Sequence, residues 1–188
     1  MRVATYTSSS DAVDERYRAA ARAYGTALAE ARIGLVYGGT ALGLMGDIAD
    51  AVRAAGGEVT GVLPQLMADR GLADEACDEL VVTATMAERK REMVARADAF
   101  VALPGGFGTL EELFEVLTLK QLGYHRAPIV LFDVDGFWDG LLTFFDQLYA
   151  EAFAAEVYRG LYHVTADLDD LLGTVTRPSS EQLPTKRF

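Results

Sequence analysis

The residues best suited to chemistry form one continuous run, Pro104-Gly105-Gly106-Phe107-Gly108-Thr109-Leu110-Glu111-Glu112. Three glycines within four positions let the backbone adopt positive φ angles and bring its N–H groups close to a ligand. A helix that starts here would add the N–H groups and the positive dipole end of its first turn. The run therefore predicts a loop that binds an anion through its backbone, with carboxylates directly behind it.

The glycine spacing argues against a dinucleotide as that anion. A dinucleotide-binding fingerprint would need a further glycine at position 111, where the chain has Glu111. A carboxylate at that point would face the pyrophosphate and repel it. No lysine of the Walker type follows the loop either. We therefore predict a site for one phosphate group, with acid chemistry next to it.

Glu112 has two interpretations on the residues alone. It has capping-box spacing to Thr109, so it could serve only to cap its own helix, or it could be a functional carboxylate that faces the anion. The predicted apolar stripe of this helix is Leu110, Leu113, Phe114 and Leu117, and the opposite arc holds Glu111, Glu112 and Glu115. Periodicity does not distinguish the three glutamates, although Glu115 lies farthest from the phosphate.

Two cations border the apolar face of another predicted helix. Thr85 and Glu88 have capping-box spacing and mark its start. Its predicted apolar face is Met86, Met93 and Ala97. At 3.6 residues per turn, Arg89 and Lys90 lie within roughly 60° of that face. Cations beside a buried stripe need an anionic partner, which is either a structural carboxylate or a ligand.

Two further loops are expected near the first one. Gly38-Gly39-Thr40-Ala41-Leu42-Gly43-Leu44-Met45-Gly46 also follows an apolar run and precedes a helical pattern. Thr7-Ser8-Ser9-Ser10 follows the first apolar run and offers hydroxyl groups. A glycine at such a turn often has only a steric reason, but two glycine loops in one sheet are better evidence for a ligand. The candidate contacts in these loops are Ser8, Ser9, Gly39, Thr40 and Met45.

The elements that position these loops alternate between strand and helix. The predicted strands are Val3–Tyr6, Ile33–Tyr37, Val59–Leu63, Leu80–Val82, Phe100–Leu103 and Ile129–Phe132. The predicted helices are Asp14–Ala31, Gly43–Ala55, Met86–Ala97, Thr109–Gln121, Gly140–Ala152 and Asp167–Leu172. This alternation predicts an α/β fold with a doubly wound, mainly parallel, Rossmann-like sheet in a single domain. Ligands then bind outside the carboxyl ends of the strands, where the strand order reverses. We assign residues 1–176 to this domain and expect 177–188 to be a flexible tail.

Composition and charge exclude several classes of function. A net charge of −11 argues against nucleic-acid binding, which depends on a basic surface. Cys77 is the single cysteine, so an intrachain disulfide and a zinc cluster are excluded. The two histidines have no metal-ligand spacing, and we predict no metal site. No apolar run approaches the ~20 residues of a membrane span, and the N-terminus does not resemble a signal peptide. We therefore expect a cytoplasmic protein that does not bind membranes.

Together these motifs resemble the LONELY GUY (LOG) family, the cytokinin riboside 5′-monophosphate phosphoribohydrolases, long labelled lysine decarboxylases. The resemblance is carried by the run from Pro104 to Glu112, by Met86-Ala87-Glu88-Arg89-Lys90 and by the glycine loop 38–46. It extends from Val3 to about Leu172 and so covers nearly the whole chain. The decarboxylase label has no support in the sequence, because no lysine has a context that suggests a Schiff base with pyridoxal phosphate.

The resemblance implies a homodimer without a cofactor that releases the free base from a nucleoside 5′-monophosphate of the AMP or N6-modified AMP type. It implies that Arg89 and Glu112 are the catalytic pair. The substrate contacts that it implies, together with Gly105 of the loop, are Lys90, Gly106, Phe107, Gly108, Thr109, Leu110, Glu111 and Thr118. The chemistry agrees with these residue types, because a carboxylate stabilises or traps the oxocarbenium-like sugar cation of N-glycosidic cleavage. Whether Glu112 acts as nucleophile, base or electrostatic partner stays open.

Four departures from the family pattern bear on the substrate. Thr7-Ser8-Ser9-Ser10 replaces Cys-Gly-Ser-Ser, and Ala87 replaces a histidine. Gly71 stands in place of a substrate-contacting glutamate, and Ala127 in place of a lysine. Because the phosphate and ribose machinery is kept while these polar groups are lost, we expect hydrolysis with a changed base preference. The alternatives are a hydrolase for another nucleobase in a specialised pathway and a nucleotide-binding regulator without turnover.

Overall fold

The computed structural model describes residues 1–177, which form a seven-stranded sheet with helices on both faces. The strands are β1 (Arg2–Tyr6), β2 (Gly34–Tyr37), β3 (Val59–Pro64), β4 (Glu79–Thr83), β5 (Ala99–Ala102), β6 (Ile129–Phe132) and β7 (His163–Thr165). The helices are α1 (Glu15–Glu30), α2 (Gly43–Ala54), α3 (Gln65–Ala68), α4 (Met86–Ala95), α5 (Phe107–Gln121), α6 (Asp139–Ala150) and α7 (Leu168–Thr176). A 3₁₀ helix covers Glu156–Leu161. The predicted α/β fold class is confirmed.

The strand order places a crevice between β1 and β5. Every pairing between the named strands is parallel, and the order across the sheet is β4-β3-β2-β1-β5-β6-β7. The chain therefore moves outward from β1 to β4 and returns to the other side of β1 with β5. At such a reversal the connections after the two strands diverge and leave a crevice at their carboxyl ends. Tyr6 pairs with Ala102, so the loops that follow β1 and β5 leave the sheet side by side.

Two hydrophobic cores, one on each face of the sheet, hold the helices. The first core contains buried side chains of α1, α2 and α7, such as Leu28 and Ile48. The second contains buried side chains of α4, α5 and α6, such as Met93 and Leu113. Because α4 and α5 pack into the same core, the residues at their first turns meet beside the crevice.

Most of these elements are predicted by the sequence, and three short ones are not. The six predicted strands and six predicted helices are present, β6 with the predicted bounds and the others with one or both ends shifted, and α5 begins at Phe107 instead of Thr109. The helix α3, the 3₁₀ helix and β7 were missed, because segments of three to six residues contain too few residues to show a period. The predicted flexible tail lies, apart from Arg177, outside the described residues. Within residues 1–177, no helix has the length and apolar character needed to cross a membrane.

The neutral side chain of His125 joins α5 to the segment before β6. Its Nε2 lies 2.9 Å from the carbonyl oxygen of Val116, and its Nδ1 accepts the N–H of Ala127 at 3.2 Å. The ring also packs edge-on against Phe100, with 5.0 Å between the ring centroids. Burial lowers the pKa of His125 below its ordinary value. Nδ1 must stay unprotonated to accept the Ala127 N–H, so protonation would break this link.

We predict that His125 makes the free energy of unfolding fall as the solution becomes acidic. The unfolded chain binds a proton at a pKa of about 6.5, whereas the folded chain resists protonation until a lower pH. The stability is therefore complete above the unfolded pKa and is lost as pH decreases toward the folded pKa. Urea unfolding at pH 7.5 and 5.5 measures the free energy of unfolding of wild type and His125→Gln. The difference between the two proteins should be smaller at pH 5.5 than at pH 7.5. A difference independent of pH would contradict the prediction.

Candidate active site

A cleft of about 360 Å³ opens at the crevice between β1 and β5. Its walls are the loop after β1, the first turn of α5, and side chains from α2, α3 and α4. The lining residues are Thr7, Ser8, Ser9, Ser10, Met45, Met67, Met86, Arg89, Gly106, Phe107, Gly108, Thr109 and Glu112. The structure thus brings together the loop 7–10, the glycine run 104–109 and both predicted catalytic residues, which come from distant parts of the sequence.

The N-terminus of α5 faces the cleft without a side-chain cap. The helix begins after Gly106, whose backbone is extended and which contributes no capping hydrogen bond. A Cβ atom placed on Gly106 or Gly108 would meet no atom within 4 Å, so both glycines border open space. Gly105 has a different role, since a Cβ there would lie 2.1 Å from Thr109 Oγ1. The turn therefore presents backbone N–H groups and the positive end of the helix dipole to the cleft, which suits a phosphate group.

The capping-box interpretation of Glu112 is wrong. Because Gly106 precedes the first helical residue, Thr109 lies in the third helical position and is not the N-cap. Glu112 belongs to the buried face of α5 with Leu113 and Val116, and not to an exposed arc. The predicted apolar stripe was also partly wrong, since Phe114 is 39% exposed. A search for apolar periodicity assigns charged residues to the solvent face, so it cannot find a helix face that contains a buried ion pair.

Arg89 and Glu112 form that ion pair along the cleft. Arg89 Nη1 donates to Glu112 Oε1 at 2.5 Å, and the two side chains are only 7% and 6% exposed. Arg89 Nε donates to the carbonyl oxygen of Val62 at 3.0 Å, which holds the guanidinium against β3. These two hydrogen bonds, one to a carboxylate and one to a backbone carbonyl, fix the plane of the guanidinium as well as its position. The cation beside α4's buried stripe therefore has a carboxylate partner within the protein.

The environment of the pair raises the pKa of the glutamate. Burial raises the pKa of Glu112 above its ordinary value, and the positive charge of Arg89 opposes this effect. Tyr6, at the end of β1, is also buried, and burial followed by the charge of Glu112 raises the pKa of its phenol. The carboxylate therefore depends on Arg89 for its ionised form, and the phenol nearby stays neutral.

Several predicted contacts lie outside the lining of the cleft. Lys90 pairs with Glu111 and, at 3.1 Å, with Glu115, and these carboxylates raise the pKa of Lys90. Leu110 is half-buried against the second core, and Thr118 is exposed farther along α5. Lys90, Leu110, Glu111 and Thr118 are thus not part of the cleft wall in this chain. The partner of Lys90 is a pair of structural carboxylates, one of the two possibilities that its position left open.

The second glycine loop differs from the first in how the helix that follows it is capped. Asp11 Oδ1 accepts the N–H of Gly43 at 3.0 Å, so a carboxylate already occupies the N-terminus of α2. Gly39 and Thr40 are buried and do not line the cleft, and their role as ligand contacts stays a prediction. Met45 is the residue of this loop that lines the cleft. The two glycine loops therefore resemble each other in sequence but not in the capping of their helices.

Part of the apolar wall of the cleft was not predicted from the sequence. Met67 comes from α3, which was not predicted, and nothing in the pattern around it indicates a ligand contact. Met86 was assigned to the core but is 50% exposed and lines the cleft. Its place as the first residue after the N-cap Thr85 is a signal that could have indicated exposure. With Met45, these side chains give the cleft three thioether groups.

The residues that depart from the family pattern lie mostly outside the cleft wall. Gly71 sits in the turn after α3 with φ at +70°, Ala87 is exposed on α4, and Ala127 packs against the second core. None of the three lines the cleft, whereas Thr7 to Ser10 does. The lining of the cleft therefore gives no support to a base preference altered by Gly71, Ala87 or Ala127.

Comparison with known proteins identifies relatives of the chain. A family model described as "Possible lysine decarboxylase" matches residues 45–175. A protein of Oryza sativa subsp. japonica named a probable cytokinin riboside 5′-monophosphate phosphoribohydrolase is 44% identical over 171 residues, which are 91% of this chain and 75% of that protein. A cytokinin riboside 5′-monophosphate phosphoribohydrolase of Arabidopsis thaliana is 46% identical over 158 residues, which are 84% of this chain and 73% of that protein.

A solved structure shares the fold over almost its whole length. The molybdenum cofactor carrier protein of Chlamydomonas reinhardtii superposes with a TM-score of 0.71 at 25% sequence identity. The superposition covers 93% of this chain and 94% of that protein. The arrangement of strands and helices described above therefore also occurs in a solved structure.

We predict that Gly108→Ala lowers the affinity for ribose 5-phosphate without destabilising the fold. The added methyl group enters the open cleft, and alanine is favoured over glycine within a helix by about 1 kcal/mol. Gly105→Ala is the matched control, because its methyl group would collide with Thr109 and should lower the free energy of unfolding. Calorimetric titration and urea unfolding measure the two quantities. An unchanged affinity in Gly108→Ala would contradict the assignment of the phosphate site.

Proposed function

We propose, since this chain belongs to the LONELY GUY (LOG) family of cytokinin riboside 5′-monophosphate phosphoribohydrolases, that it hydrolyses the N-glycosidic bond of a nucleoside 5′-monophosphate. The products are the free base and ribose 5-phosphate. The observation that carries the proposal is the buried Arg89–Glu112 pair beside the uncapped N-terminus of α5. An anion site and a charged carboxylate next to each other are what such a reaction needs.

The geometry of α5 relates the phosphate to the reacting bond. A phosphate held by the N–H groups of the first turn lies at the helix start, and Glu112 follows Gly108 by about one turn, roughly 6 Å along the axis. The ribose that carries the phosphate then lies against the Glu112 carboxylate. As the N-glycosidic bond breaks, positive charge develops on the sugar, and a carboxylate at that place stabilises it.

Arg89 keeps Glu112 ready for this role. Its guanidinium is fixed to the Val62 carbonyl and so holds the carboxylate in one orientation. Its permanent charge also opposes the effect of burial, which would otherwise favour a neutral glutamate without the charge that the transition state requires. Arg89 is therefore the residue that combines orientation and ionisation of Glu112.

The far wall of the cleft supports a purine base, with or without an apolar substituent. The wall contains Met45, Met67 and Met86, and Phe107 is 92% exposed at its edge. Thioether groups adapt to rings and alkyl chains of different shape and contact aromatic rings favourably. AMP and N6-modified AMP fit this chemistry, and the change of base preference expected from the sequence stays a prediction for the assay below.

We also propose that the protein is a homodimer and that it is located in the cytoplasm. Large aromatic side chains are exposed on the surface, among them Phe114 of α5, Phe144 of α6 and Phe153. Exposed aromatic side chains of this size are typical of protein interfaces. The free Cys77 agrees with a reducing compartment.

The direct test is release of free base by wild type and two glutamate variants. The substrates are AMP, GMP, CMP and isopentenyl-AMP, and ribose 5-phosphate is measured. We expect turnover by wild type, and in Glu112→Gln a kcat lower by about 10²–10³-fold, because the charge that faces the sugar cation is lost. Glu115→Gln is the matched control, since this glutamate of the same helix pairs with Lys90 outside the cleft.

The outcomes separate the competing functions. Turnover restricted to GMP or CMP would show a hydrolase for a different base. Selective, efficient turnover of isopentenyl-AMP would show that the base preference is not altered. If wild type releases base from none of the nucleotides but binds one of them tightly, hydrolysis is refuted and a regulatory binding protein is favoured.

We also predict that kcat/KM falls on the acid side at an unusually high pH. Glu112 acts in its ionised form, and its raised pKa means that it takes up a proton at a higher pH than the ordinary value of about 4.3. Activity is therefore present above this raised pKa and is lost as pH decreases through it. Arg89→Met should move the midpoint to still higher pH, because the opposing charge is removed. A midpoint at or below about 4.3 in wild type would contradict the prediction.

A further inference from the structure

We propose that Asp74 is a positioning residue for Arg89, acting through the backbone of the glycine loop 38–40, although its side chain touches no part of the cleft. For its effect on activity the inference rests on the proposed hydrolysis. For its effect on the Arg89–Glu112 pair it depends on the structure alone.

Asp74 is a buried carboxylate in which three donors converge. It is 4% exposed and lies between α3 and β4. Tyr37 Oη and Arg53 Nη1 both donate to its Oδ2, at 2.6 and 2.9 Å, and Ala76 N donates to its Oδ1 at 3.1 Å. Burial alone would raise the pKa of Asp74, but the hydrogen bonds from Tyr37 and Arg53 outweigh burial and hold the pKa below its ordinary value. Asp74 therefore links the end of β2, through a hydrogen bond from Tyr37, to the last turn of α2, through an ion pair with Arg53.

The same segment is fastened to the glycine loop by its backbone. The N–H of Asp74 donates to the carbonyl oxygen of Gly39 at 2.9 Å. Its neighbour Ala73 forms an antiparallel bridge with Thr40. The position of Gly39 and Thr40 is thus determined by a segment that is itself fixed by the buried carboxylate.

The glycine loop in turn forms a wall against Arg89. A Cβ on Gly38 would lie 2.7 Å from Arg89 Nη2 and 2.8 Å from Met45 Sδ, so the loop backbone is packed directly against the guanidinium. On its other side, Gly39 Cα would be 2.9 Å from a Cβ on Gly61 of β3. The loop therefore packs closely against both β3 and Arg89, and a shift of the loop toward the guanidinium would displace Arg89.

Loss of the Asp74 charge should therefore change the pair and not the phosphate site. A displaced Arg89 is a weaker partner for Glu112, so the carboxylate should protonate at higher pH. The N-terminus of α5 has no contact with Asp74, and the ribose 5-phosphate affinity should stay the same. A purely structural Asp74 would alter neither the Glu112 titration nor the kcat of the folded enzyme.

The test compares Asp74→Asn with Asp133→Asn in the full-length chain. Asp133 is a half-buried carboxylate that accepts the N–H groups of Gly136 and Trp138 in the loop after β6, and it has no link to Arg89. Carbon-detected NMR titration gives the pKa of the Glu112 carboxyl without requiring activity. We expect a raised pKa in Asp74→Asn only, with a kcat lower by about tenfold to a hundredfold and an unchanged KM.

Tyr37→Phe is the second variant in case Asp74→Asn does not fold. It removes one of the three hydrogen bonds to Asp74, so the Glu112 pKa should shift in the same direction by less. The inference is overturned if the Glu112 titration in the folded variants equals that of wild type, or if Asp133→Asn changes it equally. If wild type releases no base at all, the proposed hydrolysis fails while the NMR comparison still decides the role of Asp74.

Discussion

The ion pair of Arg89 and Glu112 is the interaction on which the site depends, because it keeps a charged carboxylate at a place that burial makes unfavourable. Taking two charges out of water costs several kcal/mol each, and their attraction offsets this only with good geometry and further hydrogen bonds. The 2.5 Å contact and the hydrogen bond to Val62 provide both. Much of the architecture serves this geometry: β3 supplies the carbonyl, α4 the arginine and α5 the glutamate. The pair is thus a product of the fold and not of one motif.

The two glycine loops are similar in sequence but differ in the capping of the helix that follows, and the negative charge of the protein makes this difference important. With a net charge of −11, the surface as a whole repels a phosphate, so the anion must be bound by a local arrangement of dipoles. The N-terminus of α5 has no side-chain cap, whereas the N-terminus of α2 is capped by Asp11. One capping carboxylate therefore distinguishes the two helix starts as sites for an anion. The loop before α2 packs against Arg89 through Gly38.

Local patterns in the sequence predict the frame of this structure, and long-range contacts account for what they do not predict. Apolar runs and helical periods were enough for six strands and six helices, but not for the strand order that places the crevice between β1 and β5. The glycine turn that opens α5 was also predictable, because its glycines and the helix that follows are neighbours in sequence. The Arg89–Glu112 contact, the capping of Gly43 by Asp11 and the hydrogen bond from Asp74 to Gly39 join residues 23 or more positions apart, and the burial of Glu112 also breaks the apolar pattern. For Glu112 the family resemblance supplied a proposed role that periodicity could not.

The two ends of the cleft differ in stiffness, and this difference has a consequence for selectivity. The end of the cleft at α5 consists of backbone in a helix start, of glycines and of a guanidinium held at two points, so it has little freedom to adapt. The opposite end consists of methionine side chains, which have three rotatable bonds each, and of the exposed ring of Phe107. A rigid end rejects ligands that lack the chemical group it binds, while a flexible apolar end accepts rings and substituents of several shapes. If the substrate binds as proposed, with its phosphate at the start of α5, this chain recognises the 5′-phosphate and the ribose strictly, and the base is the part on which related chains can diverge without change to the Arg89–Glu112 pair.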